Sequence, residues 1–331
     1  MKRLVFLLVL FVAALAVAIP WFILPSPYKG FGDPVLVELP HGMGTPAIAN
    51  ELTKAGVIRS PYLLLLARLF HPGTKLQAGE YEFSKAASPN EVFERLGRGD
   101  VVHYEVTIPE GSNMFDIAAA VGKIPFLKSA KMLALVRDPT PIRDIDPKAP
   151  TLEGYLFPST YRLARTTTEE QLRNMMLAEF RKVWKQQGGT NAHYTITLAS
   201  LVEKESAAKE ERPVVAAVYV NRLEKGMRME ADPTTIYASM LEGRYRGKIH
   251  RSDLDSENPY NTYQHMGLPP GPIANPGAGS IAAALHPRVD SKYIYFVAKG
   301  DGSGHHNFAS DLKTHNRNVA EYRRGIAQQG N

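Results

Sequence analysis

The stretch "LASLVEKESAAKEERPVV" (residues 198–215) indicates where the core of the second half of the chain lies. Its first half has the spacing of a buried helical stripe, with apolar residues at Leu198, Leu201 and Val202. The next position on that stripe, seven residues after the first, is Glu205. Residues seven apart share one face of a helix, so the pattern predicts a helix that points a carboxylate toward the core.

The environment predicted for Glu205 suits it to proton transfer. Partial desolvation raises the pKa of a carboxyl group, and a carboxyl that keeps its proton near neutral pH can serve as a general acid. Glu203 is two residues away, points roughly 160° around the helix, and is predicted to be solvated. Periodicity alone favours a plainer interpretation, in which Glu205 forms a structural ion pair with Arg212 or Lys209 at a helix end.

Composition narrows the class of protein. With 331 residues, 44% of them hydrophobic, the chain can bury a sizeable core and is expected to form two or more domains. The net charge of +6 is spread without a long basic run, so an anionic polymer or a membrane face is as well supported as nucleic acid, and we predict no nucleic-acid partner. Cysteine is absent, which excludes disulfides, thiolate metal sites and cysteine nucleophiles.

The N-terminus predicts a membrane anchor. Lys2 and Arg3 precede an uncharged run, residues 4–24, whose 21 residues reach ~30 Å as a helix, enough to cross a bilayer. The basic pair should stay cytoplasmic, which places the remainder of a single-pass protein outside the bacterial inner membrane. A cleaved signal peptide is the alternative, although its apolar region is usually shorter. Three prolines and two glycines in residues 25–34 then predict a short linker.

A repeat follows the linker. The segment "VELPHGMGTPAIANEL" (residues 37–52) matches "VTIPEGSNMFDIAAAV" (residues 106–121) at six positions with one offset. Each copy has strand alternation, a Pro-x-Gly break and a helical pattern, which predicts a strand-turn-helix unit. The units resemble LysM modules, which bind cell-wall glycan; a duplicated packing module without a ligand is the alternative.

Several longer segments, taken with Glu203-Lys-Glu-Ser206, closely resemble the endolytic murein transglycosylase (YceG-like) family over essentially the whole chain. They are "LEGYLFPSTY" (152–161), "VYVNRLEKGMRMEADPTTIYA" (218–238), "NPYNTYQHMGLPPGPIANPG" (258–277) and "YIYFVAKGDGSGHHNF" (293–308). The resemblance implies an α+β protein: an anchor (residues 1–24), LysM-like modules (residues 35–150) and a lysozyme-like, mostly helical catalytic domain (residues 151–331). It also implies that the second glutamate of the Glu-Lys-Glu-Ser pattern, Glu205, is the catalytic acid.

Further positions are predicted to contact substrate: Ser206, Glu230, Asn261, Thr262, Tyr263, Asn275 and His306. The three polar residues of "NPYNTY" could hold sugar hydroxyl or acetamido groups, or could cap their own proline-flanked loop. Where the family usually has Leu-Gln-x-Asp-Pro, this chain has Glu230, which could supply a second acid near Glu205. No metal or cofactor is predicted, because the histidines lack acidic or cysteine partners at ligand spacing.

Three functions remain open at this stage. The resemblance implies a lytic transglycosylase that cuts peptidoglycan strands within their length and leaves 1,6-anhydro-muramyl ends. A hydrolytic muramidase would use Glu205 as acid with Glu230 or Asp232 as its partner. A non-catalytic scaffold would read the wall through the repeated modules. In each case we expect peptidoglycan and the inner membrane as partners, and the first function suggests penicillin-binding proteins as well.

Overall fold

The computed structural model describes residues 22–329 and divides the chain into two compact units. One comprises Met1–Glu105 with Arg162–Thr167, and the other comprises Val106–Tyr161 with Thr168–Asn331. The predicted boundaries at residues 24, 34 and 150 stay predictions. Nearly all of the predicted anchor lies outside the described residues, and none of the helices within them is long and apolar enough to span a membrane.

The first unit is built from short strands and helices. In chain order these are β1 (Val35–Leu39), α1 (Thr45–Lys54), α2 (Pro61–Phe70), β2 (Gly79–Phe83) and α3 (Pro89–Arg98). The two strands pair antiparallel, with Val37 opposite Tyr81, and their inward side chains meet the helices in one apolar core. Ser88 and Glu91 form a capping box that starts α3.

A second strand pair follows. The strands β3 (His103–Thr107) and β4 (Thr160–Ala164) are neighbours in a two-stranded sheet.

The second unit is mostly helical. It contains α4 (Met114–Val121), α5 (Ser129–Val136), α6 (Glu169–Gln186), α7 (Ala192–Glu205), α8 (Arg212–Glu224), α9 (Asp232–Leu241), α10 (Arg251–Leu254), α11 (Ala278–Leu285), β5 (Tyr295–Ala298), β6 (His306–Ala309) and α12 (Leu312–Gln329). The last two strands pair antiparallel. The chain is therefore an α+β protein, as predicted.

The repeat produces the same local structure twice. In both copies a strand ends at the Pro-x-Gly break and a helix follows: β1 leads to α1, and β3 leads to α4. Gly42 (φ +84°) and Gly111 (φ +76°) both adopt the left-handed conformation that glycine tolerates best. Each copy then continues into a second helix and a second strand. The strand-turn-helix prediction is confirmed, whereas the LysM assignment stays a prediction.

Helix α7 is the centre of the second unit. It packs against α8, α9 and α11. Leu198, Leu201 and Val202 are fully buried as the stripe predicts, but every residue from Thr195 to Val202 is buried as well. The helix is enclosed by its neighbours rather than lying with one face on a core. Glu205 is its last residue, where the helix emerges from the core.

Candidate active site

A cleft of about 600 Å³ opens at the C-terminal end of α7. Its walls combine carboxylates, arginine and histidine side chains and aromatic rings. They come from α7, α8, the segment between α8 and α9, the start of α9, the loop that carries Tyr263, β5, β6 and α12. The polar and aromatic residues that line it include Glu205, Tyr219, Arg222, Glu230, Asp232, Tyr263, Tyr295, Phe296, His306 and His315. A cleft of this size with a few convergent polar groups is typical of a ligand-binding or active site.

Glu205 is the most desolvated carboxylate in this wall. Burial raises the pKa of its carboxyl group to about 7, opposed by a hydrogen bond from the Tyr219 hydroxyl and reinforced by the negative charge of Asp232. The Tyr219 hydroxyl lies 3.3 Å from Glu205 Oε1. Burial also raises the pKa of the Tyr219 hydroxyl, so this group stays neutral and donates. Near neutral pH, Glu205 can therefore both give and take a proton.

Glu203 is not solvated, and the prediction that it would be was wrong. Its side chain is only 5% exposed, with one carboxylate oxygen 2.9 Å from Arg212 Nη2. The other oxygen accepts the backbone N–H of Gly277 at 2.9 Å. The helical projection was sound, but neighbours surround α7 on both sides, so pointing away from Glu205 does not mean pointing into water. The ion pair that periodicity allowed for Glu205 is thus made by Glu203.

The tyrosine beside Glu205 is held by the β5–β6 hairpin. The ring of Tyr219 meets Phe296 edge to face at a centroid distance of 5.9 Å. Phe296 in turn packs against His306 at 5.4 Å. Because Tyr219 is buried and clamped in this way, its hydroxyl has little freedom to leave the carboxylate.

His306 lines the cleft, as expected of a predicted site residue. Its Nδ1 lies 2.8 Å from Glu211 Oε2, and its backbone N–H also donates to that carboxylate. The adjacent His305 makes a similar pair with Glu210, at 2.8 Å. These two contacts join the hairpin to the short segment that follows Glu205, so the histidines of "GHHNF" are used in pairing with glutamates.

Glu230 also lines the cleft, next to Arg222. The two side chains form an ion pair at 3.2 Å, and Glu230 is half exposed. Its backbone has φ +52°, an uncommon conformation for a residue with a side chain. Nearby, Asp232 accepts a hydrogen bond from the Tyr263 hydroxyl at 2.7 Å. Predicted residues Glu230 and Tyr263 are thus brought to the same cleft as Glu205.

Asn261 and Thr262 are buried away from the cleft. The Asn261 amide donates to three backbone carbonyls, with the shortest bond, 2.7 Å, to that of Ser256. The Thr262 hydroxyl accepts the backbone N–H of Ala231 at 3.1 Å and lies 2.8 Å from the Thr234 hydroxyl. Both side chains hold the loop together, which is the capping alternative left open by the sequence.

The Asn275 side chain also holds neighbouring segments of the chain together. Its side-chain oxygen accepts the backbone N–H groups of Gly154 and Leu156, each at 2.9 Å. Its Nδ2 donates to the Ser112 carbonyl and to Glu153, so its hydrogen-bonding capacity is filled.

Ser206 is buried at the end of α7 and is not among the residues that line the cleft. Its hydroxyl has no hydrogen-bond partner among the described residues.

Two of the cleft residues that were given no site role from the sequence lie on α8. Tyr219 and Arg222 follow Val215 at helical spacing, and all three are buried on α8. A charged residue on an apolar stripe was the signal that singled out Glu205, and the same signal was available for Arg222. The tyrosine gave no such signal, because a tyrosine on an apolar stripe is ordinary core.

His315 and Tyr295 complete the far wall. Their rings stack with centroids 4.9 Å apart, and the Arg222 guanidinium lies 5.3 Å from the centroid of Tyr295. Burial and the positive charge of Arg222 lower the pKa of His315. The ring is therefore neutral at pH 7.

Comparisons with known proteins agree with one another. Residues 37–321 match the YceG-like family. The endolytic murein transglycosylase of Bacillus subtilis strain 168 is 32% identical over 310 residues, which cover 87% of this chain and 84% of the relative. The corresponding protein of Streptococcus pneumoniae strain D39 is 31% identical over 322 residues, 87% of this chain but 58% of that longer relative.

A solved structure extends the likeness to the fold. The crystal structure of a YceG-like protein from Listeria monocytogenes has 32% sequence identity and a TM-score of 0.55, and the match covers 87% of this chain and 99% of the other. Since the family match spans residues 37–321 and the Bacillus subtilis relative is 32% identical over most of both chains, this protein belongs to the YceG-like family.

Proposed function

We propose that this protein is an endolytic peptidoglycan lytic transglycosylase with Glu205 as its catalytic acid and base. The observation that carries the proposal is the desolvated carboxyl at the end of α7, which faces a cleft and has a pKa of about 7. The relatives named endolytic murein transglycosylases supply the substrate class, a polymer of alternating N-acetylated sugars.

The first step needs an acid. Protonated Glu205 donates its proton to the oxygen that bridges the muramyl C1 to the next sugar, and the C1–O bond breaks. The departing sugar leaves with a hydroxyl group, and positive charge develops at C1 of the muramyl residue. The Tyr219 hydroxyl, 3.3 Å from Glu205 Oε1, stabilises the carboxylate that this proton transfer produces.

The second step uses the same group as a base. The Glu205 carboxylate takes the proton of the C6 hydroxyl of the muramyl residue, and that oxygen bonds to C1. The product is a 1,6-anhydro end, Glu205 is protonated again, and no water is consumed. Because the hydroxyl is tethered to the reacting sugar, it has a high effective concentration that free water lacks.

A hydrolytic muramidase is the second candidate, and one observation favours keeping it. Glu230 and Asp232 line the same cleft as Glu205 and could act as the second carboxylate. Each already has a partner, however. Glu230 pairs with Arg222 and Asp232 accepts the Tyr263 hydroxyl, and such contacts favour a carboxylate that positions other groups over one that attacks C1.

We further propose that residues 4–24 anchor the enzyme in the inner membrane as a single pass, with the body on the outer side. The support is the length of the uncharged run and the two basic residues before it. We also propose that the repeated LysM-like modules bind glycan and that the catalytic part has a lysozyme-like organisation. The enzyme is proposed to associate with penicillin-binding proteins, at the place where nascent strands are made.

The catalytic assignment is tested with Glu205→Gln and, as a matched control, Glu224→Gln, a change at an exposed glutamate on α8. Glutamine keeps the size of the side chain but cannot exchange a proton. We expect the first variant to lose about 10²–10⁴-fold in rate with an unchanged melting temperature, since this is what general acid–base groups typically contribute. Equal activity in the two variants would remove Glu205 from the mechanism.

A further inference from the structure

Helix α2 of the first unit presents an apolar face to solvent. Tyr62, Leu69 and Phe70 are 77%, 75% and 57% exposed. They are seven and eight residues apart, which puts them on one side of the helix. Leu64 and Ala67, on the opposite side, are fully buried against the unit's core. The helix is therefore apolar on both faces, although one of them has no partner within the described residues.

The chain enters the first unit beside this helix. Leu24, the last residue of the uncharged run, is buried in the unit's core, while Phe22 remains exposed. Ile23 and Ser26 line a groove of about 320 Å³ together with Leu63 of α2. The point where the uncharged run meets the folded body is thus next to the start of α2.

The charged residues of α2 and of the loops that flank it in the sequence are all basic. Between Glu51 and Glu80 the sequence contains no acidic residue, whereas it contains four Lys or Arg residues. One of them, Arg59, stands just before the helix, and its guanidinium lies 5.1 Å from the ring of Tyr28. Basic residues next to an apolar helical face are the usual pattern of helices that lie on anionic membranes.

We propose that the exposed face of α2, defined by Tyr62, Leu69 and Phe70, binds the surface of the anionic phospholipid bilayer in which the chain is anchored. The inference rests on the proposed anchoring by residues 4–24. A tyrosine at the helix start and a leucine and phenylalanine at its end suit the boundary between headgroups and acyl chains. This contact would hold the first unit against the membrane instead of leaving it free on its tether.

The absence of cysteine from the chain allows a direct test. Single spin labels are attached to full-length Leu69→Cys, Ala14→Cys and Val289→Cys proteins in vesicles of phosphatidylglycerol and phosphatidylethanolamine. Ala14 lies in the middle of the uncharged run, and Val289 is a 95% exposed residue of the second unit. The measured quantity is the accessibility of each label to oxygen, which enters bilayers, relative to a water-soluble nickel chelate.

We expect the oxygen-to-nickel ratio at Leu69 to be several-fold higher than at Val289, and to fall when phosphatidylcholine replaces the anionic lipid. A ratio at Leu69 equal to that at Val289, with a high ratio at Ala14, would overturn the α2 contact and leave the anchor intact. A low ratio at Ala14 would overturn the anchor alone if Leu69 stays high. Spectral broadening from two nearby Leu69 labels would instead identify a second copy of the chain as the occupant, and would also overturn the proposal.

Discussion

The pKa of Glu205 is set by neighbours that act in opposite directions. Burial and the charge of Asp232 raise it, and the hydrogen bond from Tyr219 lowers it. An acid must be protonated to act, so the rate is expected to fall as pH rises through the pKa of about 7. The position of this alkaline limb therefore reports the environment of a single carboxyl group.

Removing the Tyr219 hydroxyl, which donates to Glu205, should move the alkaline limb of the pH–rate profile to higher pH. In Tyr219→Phe the ring and its packing on Phe296 are retained, but the hydroxyl that stabilises the carboxylate is lost. We expect the alkaline limb of kcat/KM to shift to higher pH by up to about 1 unit. A profile measured on purified glycan strands checks this, and a limb that stays in place or moves down would show that Tyr219 does not stabilise the ionised form.

Removing the negative charge of Asp232 should move the alkaline limb of the pH–rate profile to lower pH. Asp232→Asn keeps the shape of the side chain and an oxygen that can accept from Tyr263, but eliminates the charge that raises the pKa of Glu205. The same pH profile should shift to lower pH while the rate below the limb is retained. Loss of activity at every pH would instead support Asp232 as the second carboxylate of a muramidase.

Single residues were predicted with uneven success, for physical reasons. The stripe located Glu205 because helical spacing is a local property of the sequence. It could not show that Tyr219, fourteen residues later, would turn its hydroxyl toward that carboxylate. The side chains of Asn261 and Asn275 were equally ambiguous, because an amide can bind a sugar or its own loop, and only the fold determines which donors and acceptors come within reach.

At the scale of elements, the end of α7 is fixed by a buried ionic cluster. Arg212, at the start of α8, contacts Glu203 at 2.9 Å and Glu110 at 3.5 Å. Glu203 also accepts the Gly277 N–H at the start of α11. Three elements therefore meet two residues away from the proposed catalytic group.

Neutralising this cluster should destabilise the protein. In Glu203→Gln, Arg212 stays buried and keeps only the longer contact with Glu110. Breaking a buried ion pair at one partner typically costs about 3–5 kcal/mol of unfolding free energy. Denaturant unfolding against Glu224→Gln measures the difference, and a loss below about 0.5 kcal/mol, as for a surface substitution, would show that Glu203 is solvated after all.

A second buried carboxyl ties α4 to α9. Glu153 accepts the Met114 N–H at 2.8 Å, the Tyr237 hydroxyl at 3.0 Å and the Asn275 amide at 2.7 Å. Burial outweighs these donors and raises the pKa of Glu153 to about 8. Between pH 4.5, the ordinary pKa of a glutamate, and about 8, Glu153 therefore holds a proton in the folded state but has lost it in the unfolded state.

This difference makes the protein less stable as pH rises. Between about 4.5 and 8, Glu153 alone should lower the unfolding free energy by up to about 1.4 kcal/mol per pH unit. Glu153→Gln should flatten that slope, which unfolding curves at several pH values would reveal. An unchanged slope would mean that the three hydrogen bonds keep the carboxyl ionised throughout.

Elements were easier to predict than their surroundings. The segment "EEQLRNMMLAEFRKVWKQQ" (residues 169–187) predicts a helix with Leu172, Met176, Phe180 and Val183 inward, and these four are buried on α6, which ends at Gln186. Proline is favoured in the first turn of a helix, so Pro213 predicts a helix start, and α8 begins at Arg212. The enclosure of α7 on all sides was not predicted, since it depends on helices that arrive from distant parts of the chain.

At the scale of the whole molecule, the two copies of the repeat have different neighbours. The copy that begins with β1 belongs to the first unit, whereas the Pro-x-Gly turn of the other copy belongs to the second unit. There, the Gly111 carbonyl accepts Lys204 Nζ at 3.2 Å, and its N–H donates to the Asn275 carbonyl at 2.9 Å. Sequence similarity revealed the duplication but not that the two copies contact different residues, because those contacts are made with residues outside the repeat.

The matched glycines allow that difference to be measured. A Cβ at Gly42 would meet nothing within 4 Å, and one at Gly111 would make only an ordinary van der Waals contact, 3.5 Å from Glu203 Cγ. Both Gly→Ala changes strain a left-handed residue by about 1–2 kcal/mol, so both should lower the melting temperature. Only Gly111→Ala should also lower kcat, because the Gly111 carbonyl accepts Lys204 Nζ, so backbone strain in this turn reaches the residue next to Glu205. Equal kcat in the two variants would contradict a supporting role for this repeat.

The central claim, cleavage without water, is tested most directly by the products of purified peptidoglycan digested in ¹⁸O-labelled water. Mass analysis should find muropeptides one water lighter than hydrolysis products, with 1,6-anhydro ends, no ¹⁸O and no new reducing ends. Glu230→Gln should leave that product unchanged. Reducing muramyl ends that carry ¹⁸O would contradict the account and identify the enzyme as a muramidase.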